Sequence, residues 1–420
     1  MVASQTSWGV PLILGLSEST EYKPKLYTTL EKVYADHCKY DSTNKLLGIS
    51  PVARAAQALM AQGLTRFYIM GIPCGTDRKP TSNNIAAAKA VIQPLAIQGT
   101  IDTIVFAGIY VNNPLVSEYV DIANTCKLVF AMTNAPGQTA TDIVTCVSTN
   151  VKSRNGFIVA HNEPTFTNEV DFTTNGQEIG IGDGTKVVFN IPNYPITNDP
   201  VITVGGVSQT VTTDYTLDKA TGVVTFDADS IPGAAKAVIC KYKAAIPKDD
   251  VGAVALGALA LNRPWNSMIW RAVFTPVGTY FDAADIATLE TAGINVIINV
   301  ASSNRLSNSL TASGSPKFID IVRTEYYSSS QLRNAMLTLR LNSAKIPFTE
   351  SGLDMVRVSL RSAMERLLRD AAISTYTITM PTVDTISTED RGNRILRGVK
   401  VAAQLSGDVH TFQMDLIIQV

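Results

Sequence analysis

Residue types that carry chemistry in proteins are few in this chain and stand far apart. The three histidines, His37, His161 and His410, show no HExxH motif and no paired-ligand spacing. The cysteines form no CxxC pair, which excludes the common zinc and thioredoxin-type spacings. We interpret them as buried free thiols in a reducing compartment, with crosslinks formed after release from a cell as the alternative. These cysteines are Cys38, Cys74, Cys126, Cys146 and Cys240.

Phosphate binding and nucleophilic catalysis are the other chemistries to consider. The loop at residues 71–75 follows the first clear strand but lacks the GxGxxG spacing, and Pro73 removes an amide that a phosphate needs. Neither GxxxxGK[ST] nor GxSxG occurs in the sequence. Cys74 stands where a nucleophile could, but no histidine lies near it in sequence. We therefore expect no catalytic residue, no cofactor and no metal, and predict that the protein is not an enzyme.

Charge and hydropathy argue against nucleic acid and membrane partners. The formal net charge is −1, and Asp354, Glu365 and Asp370 offset the arginines of residues 351–370. No aromatic residue interleaves those arginines, so we expect a solvated or subunit-contacting face and no direct contact with nucleic acid. The longest apolar run, residues 251–261, is too short to span a membrane and predicts a buried helix. The first residues lack a basic region, so we expect no secretory signal.

The elements that surround these residues alternate between helix and strand. Strands that are apolar throughout, separated by single helices, indicate an open, mostly parallel sheet layered with helices. The predicted strands are residues 66–71, 103–108, 127–132 and 156–160, and the predicted helices are residues 51–63, 83–98, 114–126 and 139–150. An apolar run at residues 10–16 has a proline near its start, which is typical of a strand beginning or an edge. We interpret residues 1–20 as an extended N-terminal arm.

The pattern changes abruptly near residue 173. Short β-branched runs alternate with the turn pairs Asp183-Gly184, Gly205-Gly206, Thr221-Gly222 and Pro232-Gly233. Turn signals at this frequency predict a small all-β sandwich or barrel. Because an α/β pattern lies on both sides, residues 173–245 are predicted to be an inserted β-domain.

After the insertion the α/β pattern resumes. We predict helices at residues 249–261, 282–292 and 328–341, strands at residues 268–275, 294–300 and 318–324, and a polar loop at residues 302–316. The α/β core is therefore discontinuous, comprising residues 21–172 and 246–316. Residues 317–420 form a C-terminal α+β domain.

The end of the chain carries the most distinctive pattern. Residues 351–370 predict an amphipathic helix capped by Thr349 or Ser351, with Glu365 and Arg369 as an i,i+4 pair. Two alternating runs, residues 399–405 and 410–420, flank a turn signal at residues 406–408 and predict a β-hairpin arm. Its apolar face and strand edge need a cover, either in the same domain or in a neighbouring subunit.

We favour the neighbouring subunit and predict inter-subunit strand exchange by both terminal arms. The predicted assembly residues are Val10, Leu12, Leu14, Val399, Val401, Leu405, Phe412, Met414, Leu416, Ile418 and Val420.

Several stretches resemble the contractile tail sheath proteins of bacteriophages. Residues 262–265 (NRPW) and 281–298 (FDAADIATLETAGINVII) resemble the helix-to-strand passage of the sheath core. Residues 318–323 (FIDIVR) and 345–352 (KIPFTESG), followed by an amphipathic helix and a hairpin, resemble the sheath C-terminal domain. Residues 181–189 (IGDGTKVVF), 204–207 (VGGV), 214–216 (DYT) and 221–226 (TGVVTF) are similar to a β-module that decorates many phage structural proteins.

The resemblance implies a structural protein of the virion. Sheath subunits stack as rings around a tail tube, exchange strands with neighbours, and contract by subunit rearrangement, which drives the tube through the host envelope without nucleotide. It implies a helical homo-oligomer whose partners are the tail tube protein and the baseplate and tail terminator proteins, assembled in the host cytoplasm. The alternatives are a phage baseplate or tail accessory protein that forms rings and an α/β enzyme with a β-insertion.

Overall fold

The computed structural model describes residues 9–17, 22–40, 46–74, 78–162, 167–276 and 280–410. The chain divides into two compact units. The first unit comprises Met1–Asn262 and Trp270–Lys317, and the second comprises Arg263–Ile269 and Phe318–Val420.

The first unit contains a large mixed sheet, several small sheets and helices. Its strands are β1 (Val10–Ser17), β2 (Lys25–Tyr27), β3 (Lys39–Tyr40), β4 (Leu46–Gly48), β5 (Phe67–Pro73), β6 (Ile101–Phe106), β7 (Val129–Thr133), β8 (Gly156–Ala160), β9 (Thr167–Asp171), β10 (Gln177–Ile181), β11 (Val188–Asn190), β12 (Val201–Val204), β13 (Val207–Ser208), β14 (Tyr215–Asp218), β15 (Val223–Phe226), β16 (Ala237–Lys241), β17 (Lys243–Pro247), β18 (Asn295–Val300) and β19 (Ser303–Leu306). Its α-helices are α1 (Leu30–His37), α2 (Pro51–Ala61), α3 (Ser82–Ile97), α4 (Val116–Cys126), α5 (Ala140–Cys146), α6 (Val251–Leu261) and α7 (Ala283–Thr291).

The large sheet has eight strands in the order β19-β18-β8-β7-β6-β1-β5-β2. The six inner strands run parallel, and β2 and β19 pair antiparallel at the edges. Every residue of β6, β7 and β8 is buried. Strands buried on both faces need helices on both sides, which is why apolar runs separated by single helices predict this architecture. The predicted α/β class with a mostly parallel sheet is confirmed.

The N-terminal segment departs from the prediction. Val10, Leu12 and Leu14 lie in β1, which pairs with β5 on one edge and with β6 on the other. The proposed arm is therefore wrong for these three residues, because both edges of the strand are already paired in its own chain. Pro11 is tolerated there because the pairing of β1 with β6 shifts register between Val10 and Leu12, where no ladder bond requires its missing N–H.

Helix α6 is the apolar layer on one face of the sheet. All of its residues except Leu261 are buried, and it packs against α2, β6 and β7. Asp250 begins the helix, since its Oδ1 accepts a hydrogen bond from the Ala253 N–H at 2.9 Å. A Cβ on Gly257 would lie 2.6 Å from Cγ of Gln62, so the close approach of α6 to α2 requires a glycine.

Residues between β8 and α6 form small antiparallel sheets. One sheet has the order β10-β16-β12-β13, and a second has the order β11-β15-β14. The aromatic side chains of Phe189, Tyr215 and Phe226 meet in their common apolar core. The antiparallel pair β9 and β17 joins this part of the chain to the sheet-bearing part.

One loop of the sheet-bearing part holds these small sheets through hydrogen bonds. The Arg78 guanidinium donates to the carbonyls of Ile191 at 3.0 Å and Thr221 at 2.7 Å, and it lies over the Tyr194 ring. Lys79 adds an ion pair with Asp218 at 2.9 Å. The planar guanidinium of Arg78 thus binds two backbone carbonyls, and its fixed donor geometry sets the position of both carbonyls relative to Arg78.

The second unit contains helices α8 (Ile319–Asn342), α9 (Glu350–Arg369) and α10 (Thr388–Gly392), and strands β20 (Ile373–Thr379) and β21 (Lys400–Leu405). The predicted strand at residues 318–324 is wrong, because these residues begin the 24-residue helix α8. Ile319 and Val322 are both buried there. A short apolar run with this spacing fits a helix face as well as a strand, so periodicity alone could not decide between them.

The predicted strand at residues 268–275 is also absent as a regular strand in the described chain. Part of that segment nevertheless runs along β19: the Trp270 N–H donates to Leu306 O at 2.9 Å, and the Val273 N–H donates to Asn304 O at 2.9 Å. Ala272 forms an isolated antiparallel bridge with Arg305. The segment therefore covers the outer edge of β19 without completing a ladder.

Candidate assembly site

The assembly residues predicted near the end of the chain lead to a two-stranded antiparallel sheet. Strands β20 and β21 pair from Ile373 opposite Leu405 to Thr379 opposite Lys400. The register shifts between Ile373 and Thr375. A two-stranded ribbon is marginally stable in water unless an apolar surface supports it. Its support must therefore come from the helices of the second unit.

Helix α9 provides that support. Its Thr349 cap accepts a hydrogen bond from the Gly352 N–H at 3.4 Å, which confirms one of the two predicted caps. A Cβ on Gly352 would lie 1.9 Å from Pro347 O, so the entry into the helix requires a glycine. The buried face of α9 matches the predicted amphipathic stripe and consists of Gly352, Leu353, Val356, Leu360, Ala363, Met364 and Leu367.

The ribbon lies on α9 by one face. Met364 and Leu367 of α9 form an apolar cluster with Ala372 and Ile373 at the start of β20. The ribbon residues packed against this cluster are Tyr376, Ile378, Val401 and Leu405. Residues on the opposite face, such as Thr375 and Gln404, are exposed. The alternation in residues 399–405 therefore predicted correctly which side chains face inward.

The outer edges of β20 and β21 are the part of the ribbon with which a further strand would pair. In the described part of the second unit, β20 pairs only with β21, so each strand has an edge without a strand partner. Backbone N–H and C=O groups along such an edge are a template for a further strand. The exposed residues beside them are mostly serine, threonine, alanine and glutamine, and the one charged residue among them is Lys400 at the start of β21.

A hydrogen bond from an inward-facing ribbon residue also links the ribbon to α9. The Tyr376 hydroxyl donates to the Glu365 carboxylate, and this bond raises the pKa of Tyr376 above its usual value. The interaction gives Glu365 a different role from the one that the sequence suggested, which was an ion pair with Arg369. The ribbon and the helix are thus linked by both apolar packing and a charge-assisted bond.

Within the described residues, β21 has a partner strand that the sequence analysis did not predict. Val401 and Leu405 lie in β21, Val399 immediately precedes it, and β21 pairs with β20. His410 lies edge-on against the Phe318 ring, with centroids 4.5 Å apart. The other predicted residues of this arm lie outside the described residues; they are Phe412, Met414, Leu416, Ile418 and Val420.

Strand β20 is the functional element that sequence reasoning missed. The signal was present, because residues 373–380 read ISTYTITM, a run rich in β-branched and aromatic residues directly after the amphipathic helix. Recognising it would have supplied a partner for residues 399–405 within the same domain.

His37, Cys38 and Cys74 line one cavity, together with Asp36 and Arg78. His37 Nε2 and the Tyr27 hydroxyl form a hydrogen bond at 3.0 Å. Burial lowers the pKa of His37. Burial raises the pKa of Cys126 to about 11 and that of Cys240 to about 12, which disfavours the reactive thiolate. Within the described ranges, no group of three or more His, Cys, Asp or Glu side chains could hold a metal ion.

No helix in the described ranges is both long enough and apolar enough to cross a bilayer.

Comparison with known proteins gives a fold and no family. No family model matches the chain, and no curated protein matches it. Among solved structures, the chain is similar to a chain of the anti-feeding prophage baseplate, determined by cryo-electron microscopy with six-fold symmetry. The sequence identity is 11%, the TM-score is 0.56, and the match covers 99% of this chain and 96% of that chain. The likeness therefore extends over both units and concerns the fold.

Proposed function

We propose that this chain is a structural subunit of a contractile phage-tail-like particle and that it self-assembles by strand exchange at the β20–β21 ribbon. The observation that carries the proposal is a supported ribbon with strand edges that lack a partner in the described residues. A second support is the fold, which is similar over nearly its whole length to a chain in the anti-feeding prophage baseplate.

The exchanging strand that we propose is residues 411–420 of a second copy. Apolar and other residues alternate in this segment, with Phe412, Met414, Leu416, Ile418 and Val420 at even positions. Such a strand could form main-chain hydrogen bonds along the edge of β20 or β21, while its even side chains extend the apolar layer on α9. Main-chain bonds would fix the connection, and the two-residue alternation would fix the register.

Within this class we propose a tail sheath protein, on the strength of the sequence resemblance in residues 262–298 and 318–352. The subunits would surround a tail tube, contact baseplate and terminator proteins, and rearrange as rigid bodies while the exchanged strands stay paired. Each subunit gives a strand to one neighbour and receives one from another, which is a heterologous contact that propagates. We further propose that the protein has no enzymatic activity and that it functions in the virion after assembly in the host cytoplasm.

A ring-forming baseplate component is the second candidate. The observation in its favour is that the structure similar to this chain is part of a baseplate. The same strand exchange would then close after a fixed number of subunits instead of continuing along a tube.

Electron microscopy of the isolated protein tests both candidates. Long hollow tubes of uniform diameter are expected for a sheath, and closed rings of one size are expected for a baseplate component. A protein that remains monomeric at high concentration would refute self-assembly. Deleting residues 411–420 should abolish the assemblies and leave a monomer with unchanged circular dichroism, because β20 and β21 keep each other as partners. Assembly that persists after this deletion would refute the proposed donor strand.

A further inference from the structure

A cavity of about 340 Å³ lies at the carboxyl ends of β1 and β5. Leu16, near the end of β1, and Cys74, directly after β5, line it, as do Ser50 and Val52 at the start of α2. Open α/β sheets commonly hold their functional groups in the crevice beyond the carboxyl ends of the strands. Reactive side chains in this crevice therefore bear on a function outside the assembly site.

Two of the five cysteines share this cavity. Cys38 and Cys74 both line it, and both are in the reduced thiol form. The other cysteines lie elsewhere in the fold: Cys126 ends α4, Cys146 ends α5, and Cys240 is buried in the core of the small antiparallel sheets. Cys38 and Cys74 are therefore a pair of thiols that border a common space.

Both cysteines of the pair stand where a secondary-structure element ends. Cys38 is the C-cap of α1, with extended backbone dihedral angles, and Cys74 follows the last residue of β5. A disulfide needs Cα atoms about 4.4–6.8 Å apart, so the backbone at the two sites must be able to adjust. At the ends of elements, that adjustment breaks neither a helical turn nor an interior rung of the eight-stranded sheet.

The cavity also gives a small oxidant access to the pair. Its volume is many times the space that one water molecule needs, and hydrogen peroxide is only slightly larger than water. Burial raises the pKa of Cys38, while hydrogen bonds from the Ser50 N–H and hydroxyl and the charge of Arg54 oppose that rise. Donors that stabilise the Cys38 thiolate are therefore in place at the start of α2.

The chain that follows Cys38 holds the small antiparallel sheets. It forms β3 and β4, and Leu47 O in β4 accepts hydrogen bonds from Gln177 Nε2 and Asn193 Nδ2, each at 3.0 Å. Gln177 begins β10, and Asn193 follows β11. One backbone carbonyl of β4 is thus bound by side chains from two parts of the small sheets.

The chain that follows Cys74 holds the same sheets. Arg78 donates to two of their carbonyls and lies over the Tyr194 ring. The φ of Arg78 is +55°, a left-handed conformation that is unfavourable for a long side chain and that these contacts must offset. Pro192 and Tyr194 also line the cavity. The cavity therefore lies where both anchoring segments meet the small sheets.

We infer that Cys38 and Cys74 form a reversible disulfide on oxidation, and that this crosslink locks the small antiparallel sheets onto the eight-stranded sheet. With hydrogen peroxide as the oxidant, one thiolate attacks a peroxide oxygen, which gives a sulfenic acid and hydroxide. The second thiolate attacks the sulfenic sulfur and releases a second hydroxide. The two thiol protons convert both hydroxides to water, so two thiols and one peroxide give one disulfide and two waters. The inference goes beyond the proposed self-assembly, because every residue that it uses lies within one copy.

Differential alkylation of the folded full-length protein tests the crosslink. After treatment with dilute hydrogen peroxide and removal of the excess by catalase, the protein is unfolded in N-ethylmaleimide, then reduced and labelled with iodoacetamide. The iodoacetamide label should appear on Cys38 and Cys74 together, and the unreduced sample should contain their linked peptides in a species of monomer mass. N-ethylmaleimide on both residues, a link to another cysteine or to a second copy, or sulfinic acid without a link overturns the inference.

Matched substitutions test the locking. Proteolysis within residues 188–226 should become at least about threefold slower on oxidation and recover on reduction with dithiothreitol, because the crosslink restricts opening of both anchoring segments. Cys74→Ser should abolish this difference between oxidised and reduced protein. Cys146→Ser should keep it, because Cys146 does not line the cavity. Unchanged proteolysis of the crosslinked wild type overturns the locking, and an oxidation effect that survives in Cys74→Ser overturns the assignment of the pair.

Discussion

Replacing Asp250 by asparagine should stabilise the folded chain, and more so at neutral than at acidic pH. Burial and, less strongly, the nearby Asp249 carboxylate raise the pKa of Asp250 from 3.8 to about 6, while the Ala253 N–H and the Arg54 guanidinium oppose the shift. A carboxyl group with a raised folded-state pKa destabilises the fold when it is ionised, and that cost disappears as pH falls through the folded-state value. Asparagine cannot ionise and caps a helix as well as aspartate does.

The size of the effect follows from the shift. A rise from 3.8 to about 6, at 1.36 kcal/mol per pKa unit, corresponds to a cost on the order of 3 kcal/mol well above the folded-state pKa. Near pH 4.5 the folded carboxyl is protonated while the unfolded one is mostly ionised, so the cost is about 1 kcal/mol. The gain from Asp250→Asn should therefore be about 2 kcal/mol larger near pH 7.5 than near pH 4.5. Taking the difference between two pH values cancels any pH-independent change in packing or capping.

Urea unfolding followed by circular dichroism at the two pH values measures this difference. Asp250→Ala separates capping from ionisation, because it removes both the charge and the acceptor for the Ala253 N–H, at a cost of about 1 kcal/mol for the cap. Asp282→Asn is the matched control, since Asp282 caps α7 through the Asp285 N–H but is exposed. It should not reproduce the additional gain near pH 7.5, because that gain requires a buried carboxyl group. A gain for Asp250→Asn that does not depend on pH would refute the assignment of a buried carboxylate at the start of α6.

Two further substitutions test the fold assignments. Leu12→Ala should lower the free energy of unfolding by about 2–5 kcal/mol, because Leu12 is fully buried in the central strand β1; a loss of assembly at unchanged stability would instead support an N-terminal arm. Arg78→Ala should lower it by about 1–3 kcal/mol and speed hydrogen exchange or proteolysis in residues 188–226, because two carbonyls lose their charged donor. Lys79→Ala removes an exposed ion pair and should cost at most about 1 kcal/mol, so equal effects of the two substitutions would contradict the role given to Arg78.

Long periodic patterns in the sequence predicted the elements that neighbouring residues determine. The parallel strands β5 to β8, the buried helix α6 and the stripe of α9 follow from apolar spacing within one segment. The strand order does not follow in this way, because the partners of β1 lie far along the chain. Leu12 lies opposite Tyr68, 56 residues later, and Leu14 lies opposite Phe106, 92 residues later. The proline in that segment favoured an edge because the sequence does not show the register shift that accommodates it.

The sequence predicted which side chains of β21 face inward, but it did not predict that β21 pairs with β20. Residues 399–405 have the right inward face, and the tight turn signal at residues 406–408 suggested pairing with the segment that follows it. The alternative partner, residues 373–379, is separated from β21 by about twenty residues and a short helix, so no local turn signal indicates the pairing. Hairpin prediction favours adjacent runs because short loops cost little entropy to close. The pairing of β20 with β21 is supported instead by their common packing on α9.

The pairing of β20 with β21 strengthens the argument for exchange between subunits. Because β21 already has β20 on one edge and lies on α9 by one face, an added strand is needed only for the remaining edge of either strand. A strand added there gains main-chain bonds along a ribbon that is already ordered, so the receiving subunit loses little entropy on binding. We therefore propose that the second unit receives a strand from a second copy without rearrangement of β20 or β21.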